Sequence, residues 1–146
     1  MARKKPKPDR FVIDCSITMA WFFEDEADAY ADAVQAALLS ANAVVPSLWP
    51  LEVANALVVG ERRKRTTEAK VTTFLTLLKS LPITLDDETA LRAWQDSLCL
   101  ARAHNLSAYD ASYLELALRR GLDLATLDER LKAAAQAVGV AVYTPP

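Results

Sequence analysis

Cysteine, glycine and histidine are scarce in this sequence, and each scarcity excludes something. The two cysteines, Cys15 and Cys99, are too few for a disulfide framework or a cysteine-based metal knot. Both sit in apolar patterns, which predicts small core residues in a reducing compartment. Three glycines in 146 residues argue against a low-complexity chain, and a composition 52% hydrophobic and 25% charged suits one folded domain with a substantial core. No apolar run approaches the roughly 20 residues of a membrane span. The first apolar segment, Phe11–Ile13, is too short for the hydrophobic region of a signal peptide, so a cytoplasmic protein is expected. The single histidine, His104, falls at a predicted helix C-terminus, where a cation is favourable without any catalytic role.

Positive charge is also in short supply once the N-terminus is set aside. Residues 1–10 hold five basic side chains (Arg3, Lys4, Lys5, Lys7, Arg10) and one acid, Asp9, which leaves 12 basic and 18 acidic groups for the remainder. An acidic body does not carry the overall charge of a nucleic-acid binder. The expected organisation is a basic N-terminal arm over residues 1–10 and one domain over residues 11–146. The arm reads as a solvated tail, with RNA contact as the sharper alternative.

What is present is an alternation of short apolar runs with helical periodicity. Phe11-Val12-Ile13 has the composition of a strand buried on both faces. Ala43–Val45, Pro82–Leu85, Leu122–Thr126 and Val140–Tyr143 read as further strands. After an apolar turn at 17–23, helices are expected over 28–40, 48–64, 66–80, 87–104, 108–120 and 128–138. Ser47 is the expected N-cap of the second of these, with Leu51, Ala54, Leu57 and Val58 as its inward stripe. Val71, Phe74, Leu75 and Leu78 are the expected inward stripe of the third, and Leu91, Trp94, Leu98 and Ala101 that of the fourth. Trp21, Trp49 and Trp94 are all read as core. Ser107 and Gly121 bracket the 108–120 helix as caps. The pattern predicts an α/β fold of three layers, with helices on both faces of a central, mostly parallel sheet of four to five short strands.

Four acids occupy one architectural position, the end of a strand or the first turn of the helix after it: Asp14, Glu52, Asp110 and Asp128. In a parallel sheet those positions lie along a single rim, where open α/β sheets bind ligands. Converging carboxylates repel unless a cation offsets them, and all-oxygen ligands suit Mg2+ or Mn2+. Ser16 and Thr126, each two residues from an acid, offer hydroxyls to hold a carboxylate, and Asn55 shares a helix face with Glu52. Each acid also has a local explanation. Asp110 fits the third position of a capping box opened by Ser107, Asp128 fits an N-cap, and Glu52 suits a helix's first turn. Asp86 and Asp87 follow a strand just as Asp14 does, and nothing local separates them from the four. The cluster Arg62-Arg63-Lys64-Arg65 complements a helix C-terminus or meets phosphate, and Glu115 with Arg119 forms an ordinary surface pair.

The stretches Phe11–Ser16, Leu51–Leu57, Leu106–Ala117 and Leu124–Ala135 resemble the motifs of PIN-domain nucleases, in order and with suitable gaps. The similarity is greatest to the VapC-like toxins of prokaryotic type II toxin–antitoxin pairs. Asp14, Glu52, Asp110 and Asp128 match that family's acidic quartet, and Ser16 and Thr126 match its accompanying hydroxyls; the basic arm is extra. The resemblance implies a PIN-like nuclease domain over residues 11–146 and a Mg2+- or Mn2+-dependent endoribonuclease that hydrolyses RNA phosphodiester bonds. It also implies a cognate antitoxin, a homodimer and no membrane partner. Asp14 and Asp110 would be the most direct metal ligands, with Glu52 and Asp128 on a second ion or acting through water. Two other readings compete. An aspartate-based phosphatase or phosphoacceptor would use Asp14 as nucleophile but would want an aspartate where Ser16 stands. A non-catalytic PIN-fold interaction module would be marked by loss of quartet members, and all four are present.

Overall fold

The computed structural model describes residues 9–146, so most of the expected basic arm, residues 1–8, lies outside it. Four strands form one parallel sheet: β1 (Asp9–Ile13), β2 (Ala41–Pro46), β3 (Ile83–Asp86) and β4 (Asp123–Ala125), in the order β3-β2-β1-β4. Phe11 and Val12 pair with β2 on one side and β4 on the other, Ile13 pairs with β4, and all three are wholly buried, as an all-apolar central strand requires. The strand starts at Asp9 rather than Phe11, because Asp9 and Arg10 continue the register opposite Ala41 and Asn42. The expected fifth strand is reduced to one bridge, Leu124 to Val142. Tyr143 instead closes the sheet with its side chain. Its ring stacks on Phe11 at 3.8 Å and its hydroxyl donates to Asp9 Oδ2 at 3.2 Å.

Helices connect the strands: α1 (Cys15–Phe22), α2 (Ala29–Ala37), α3 (Trp49–Arg62), α4 (Glu68–Ser80), α5 (Thr89–Arg92), α6 (Leu98–His104), α7 (Ala108–Arg120) and α8 (Glu129–Ala137). The steps β1 to β2 to β3 run one way across the sheet and β3 to β4 runs back. Right-handed crossovers therefore put α1–α4 on one face and α5–α8 on the other. Accordingly α1 packs on α2 and α3, and α7 packs on α6, α8 and three of the strands. Among the described residues no helix is long and apolar enough to cross a membrane.

Three helical faces depart from the sequence pattern, that of α4 only at Leu75, which is exposed while Phe74 and Leu78 are buried. In α3 the buried residues are Trp49, Val53, Leu57 and Gly60, whereas Leu51 is 76% exposed. The helix is turned by its neighbours: Trp49 Nε1 donates to Thr18 Oγ1 at 3.0 Å, and Gly60 lies so close to Phe23 that a Cβ there would sit 2.8 Å from the ring. The N-cap is Leu48, without a side-chain bond, while the backbone N–H of Ser47 donates to Thr89 Oγ1. The expected 87–104 helix is interrupted by a π-helical turn at Ala93–Ser97. One extra residue in a turn rotates the helix before it by about 100° relative to the helix after it. Ser97 is therefore buried, while Leu91 and Trp94 are 75% and 89% exposed, contrary to their expected core positions. Cys99 is exposed as well, and Cys15 is half-buried.

Candidate active site

Asp14 stands where β1 gives way to α1 and is the N-cap of that helix. Its Oδ1 accepts from Ser16 Oγ at 2.6 Å and from the Ile17 N–H at 3.2 Å, and its Oδ2 accepts from the Thr126 hydroxyl. The two hydroxyls also stitch β1 to the end of the adjacent β4. Ser16 Oγ accepts from the Leu127 N–H and Thr126 Oγ1 from the Asp128 N–H, both at 3.0 Å. Each carboxylate oxygen offers two acceptor positions. Oδ1 has both filled, so Oδ2 is the Asp14 oxygen with one left for a further ligand.

The other three acids come from three more helix starts. Asp128 is the N-cap of α8 and accepts from the Leu131 N–H at 2.9 Å. Asp110 lies in the first turn of α7, where its N–H donates to the Ser107 cap at 3.0 Å. Glu52 lies in the first turn of α3, and its Oε1 accepts from the Tyr113 hydroxyl at 2.6 Å. Asn55 is exposed on α3, and the partner of Glu52 is Tyr113 instead. The local capping roles are thus present, and the acids also interact as a group.

Asp110 is the electrostatic hub of that group. Burial is the largest influence on Asp14, opposed by its hydroxyl and amide donors and reinforced by the Asp110 charge, and its carboxyl is pushed up to about 6. Glu52 is raised by burial and by Asp110, against the Tyr113 hydroxyl. Asp110 itself is raised by burial and by the Asp128 charge, with Ser107 opposing. Among the described residues no lysine or arginine is a leading cause of any of these three shifts. The positive ends of four helix macrodipoles are the compensation the backbone provides. Burial and the charges of Glu52 and Asp14 push the Cys15 thiol up to about 12, so it is a neutral thiol and no nucleophile.

The second acidic group at the rim is built differently. Among the described residues, Asp86, Asp87 and Glu88 alone bring three carboxylate oxygens within 4.8 Å of one another. Arg119 fills that space: it donates to Asp86 Oδ2 at 2.6 Å, Glu88 Oε2 at 2.9 Å and Glu115 Oε1 at 2.7 Å, and Arg120 lies 3.7 Å from Asp86. Burial works against the Asp86 charge, but the two arginines prevail and hold its carboxyl below the usual range. The Glu115–Arg119 pair is therefore a buried junction between α7 and the end of β3, not the ordinary surface pair expected. The basic cluster also changes meaning. Arg65 binds Asp25 and Glu26 and lies over the Phe23 ring, which takes it out of any phosphate-contacting patch.

Sequence reasoning missed Tyr113 and the arginine junction. Tyr113 had one usable signal. A tyrosine one helical turn after Asp110, inside the apolar run of α7, brings a hydroxyl into the core that must find an acceptor.

A family model described as the PIN domain matches residues 11–137. No curated protein matches the chain in sequence. Among solved structures, PAE2754 from Pyrobaculum aerophilum aligns with a TM-score of 0.63 and 25% identity, over 87% of this chain and 79% of the other. A toxin–antitoxin complex from Klebsiella pneumoniae aligns with a TM-score of 0.56 and 18% identity, over 93% and 98%. FitAcB from Neisseria gonorrhoeae aligns with a TM-score of 0.58 and 17% identity, over 92% and 97%. The last two likenesses are likenesses of fold.

Proposed function

The chain belongs to the PIN domain family, and from that premise we propose that it is a divalent-metal-dependent endoribonuclease and the toxin of a type II toxin–antitoxin pair. One observation carries the reading. Four acids come from separate helix starts, the carboxyls of Asp14, Glu52 and Asp110 are raised, and among the described residues no basic side chain is a leading cause of those shifts. The donor set is all oxygen, which fits Mg2+ or Mn2+. Asp14, through Oδ2, and Asp110 would hold the ion most directly, with Glu52 and Asp128 on a second ion or acting through water. When bound, such an ion lowers the pKa of its water and stabilises the charge that develops on phosphate.

The protein's own groups do the positioning. Ser16 and Thr126 orient the Asp14 carboxylate, and the backbone N–H of Leu131 orients Asp128. Tyr109, 65% exposed beside Asp110, offers a ring on which a base can stack. With Arg65 already paired, Arg62, Arg63 and Lys64 are the members of the basic cluster left to meet phosphate. Glu52 and Arg62 are ten residues apart on α3, about 15 Å along its axis. The antitoxin and homodimer partners are supported by uncovered apolar surface: the exposed Leu91 and Trp94, and a groove of about 450 Å³ lined by α3, α4 and β3. The fold likeness to a toxin–antitoxin complex supports the same reading. A phosphoacceptor role for Asp14 is disfavoured, since Ser16 stands where a second aspartate would be needed.

The test is cleavage of structured and single-stranded RNA by the purified chain with Mg2+, Mn2+ or EDTA. Cleavage is expected only with metal. Changes outside the ligand shell of metal sites cost about 10–100-fold, so Asp110→Asn should cost on the order of a hundredfold or more. Cleavage that persists in EDTA, or an Asp110→Asn protein as active as the parent, overturns the proposal.

A further inference from the structure

Two of the four acids are held by their own helix starts: Asp14 and Asp128 accept backbone N–H groups as N-caps. Asp110 is tied to its Ser107 cap through its backbone N–H, and the Glu52 carboxylate is gripped from outside its own helix. Among the described residues the only hydrogen bond to the Glu52 carboxylate comes from a residue 61 positions away, the Tyr113 hydroxyl. The side chain of glutamate has three rotatable bonds, and a free one on a helix start samples several rotamers. Tyr113 has no such freedom: its residue is fully buried.

The placement of Tyr113 adds a second point. It follows Asp110 by three residues on α7, so one turn of a rigid, buried helix carries both an acid of the rim and the hydroxyl that grips another. The element that presents Asp110 is thus also the one that grips Glu52. With the Tyr113 hydroxyl on Oε1, that oxygen keeps one acceptor position and Oε2 keeps both.

We propose that Tyr113 is a positioning residue of the metal centre: its hydroxyl holds the Glu52 carboxylate in the arrangement in which it joins Asp110 around a divalent cation. The inference rests on the metal-binding reading above. Removal of the hydroxyl leaves every proposed ligand in place but lets Glu52 wander, so the cost falls on cation affinity.

The measurement is Mn2+ binding to the full chain by calorimetry, for the parent, Tyr113→Phe, Glu52→Gln and the double variant, alongside urea denaturation of the metal-free proteins. Tyr113→Phe is expected to weaken Mn2+ binding about tenfold, the lower end of what outer-shell changes cost. In the Glu52→Gln background the same change should add almost nothing, because the two residues act as one unit. A tyrosine that merely fills the core predicts lower urea stability with unchanged Mn2+ affinity. Affinity that is unchanged or tighter in Tyr113→Phe overturns the inference while the metal centre stands. A parent chain that binds no Mn2+ removes the metal centre and the inference with it. If Tyr113→Phe does not fold, the parent labelled with 3-fluorotyrosine replaces it. Mg2+ must then shift the fluorine resonance of position 113, assigned by elimination with Tyr30→Phe, Tyr109→Phe and Tyr143→Phe. A resonance that stays fixed through saturation overturns the inference.

Discussion

Replacing Asp14 by asparagine is expected to stabilise the metal-free protein at neutral pH, an unusual outcome for a residue that caps a helix and accepts three hydrogen bonds. Burial lifts the Asp14 carboxyl from 3.8 to about 6 despite those donors. A carboxyl raised on folding contributes stability that is fully present below its unfolded value and is lost as pH rises through its folded value. Two units or so correspond to roughly 3 kcal/mol withdrawn from the metal-free fold above pH 6. Asparagine caps helices as well as aspartate does and cannot ionise. It does present an amide NH2 to one of the two hydroxyls. Thr126 Oγ1, which already accepts from Asp128 N–H, must then accept again and give up its own donation, at about 1 kcal/mol. The net gain is about 2 kcal/mol, or roughly 4–8 °C in Tm for a domain of this size. Thermal and urea melts followed by circular dichroism, in EDTA at pH 7.5 and pH 5, provide the assay. The advantage should shrink at pH 5. Added Mn2+ should stabilise the parent, which binds it, and not the variant. An Asp14→Asn protein less stable than the parent by more than about 1 kcal/mol, with a deficit independent of pH, would refute the reasoning and make Asp14 a structural bracket between β1 and β4.

Mn2+ affinity measured by calorimetry should fall about tenfold between pH 7.5 and pH 5 from Asp14 alone, because the ligand must lose its proton to bind. The raised Glu52 and Asp110 carboxyls steepen that fall, and a flat profile would exclude a carboxylate site. Arg119→Ala should lower the free energy of unfolding in urea by about 3 kcal/mol, since it strands the buried Asp86 and Glu115 charges. Arg119→Lys should recover only part of that loss, for want of the planar fork that reaches three acids at once, and a loss under about 1 kcal/mol in Arg119→Ala would show the junction to be dispensable.

The parts of the fold legible in the sequence are those decided locally. Phe11–Ile13 reads as a buried strand because nothing polar interrupts it. The limits of α7 are marked by a serine whose Oγ accepts the Asp110 N–H and by Gly121 at φ 64, a left-handed conformation glycine adopts without strain. The parts that were not legible depend on partners far along the chain. Leu51 and Trp94 are apolar and on helical repeats, yet the faces carrying them are turned outward by Phe23 against Gly60 and by a π-helical turn that no composition announces. The C-terminal run 140–143 has strand composition but forms a single bridge, because Tyr143 is drawn onto Phe11 instead. At the candidate site the architectural position of the acids was readable and their partners were not. Tyr113 lies 61 residues from Glu52, and Arg119 lies 33 from Asp86.

The two acidic groups at the rim show why proximity alone is a poor guide to a cation site. The tighter group, Asp86 with Asp87 and Glu88, has its charge answered within the protein, so a divalent ion arriving there would have to displace Arg119 from bonds as short as 2.6 Å. The group of Asp14, Glu52, Asp110 and Asp128 is looser, and burial together with neighbouring acids raises the carboxyls of Asp14, Glu52 and Asp110. Such an arrangement costs stability until a cation arrives, and the stability it forgoes becomes part of the affinity for that cation. Helix α7 links the two groups. It carries Asp110 and Tyr113 near its start and Glu115 and Arg119 further along, so the neutralised junction anchors the helix that presents the uncompensated acid. Among the described residues arginines answer the acids beside Asp86 and none bonds to the quartet, so one group holds the fold together while the other, on the proposed reading, would receive a metal.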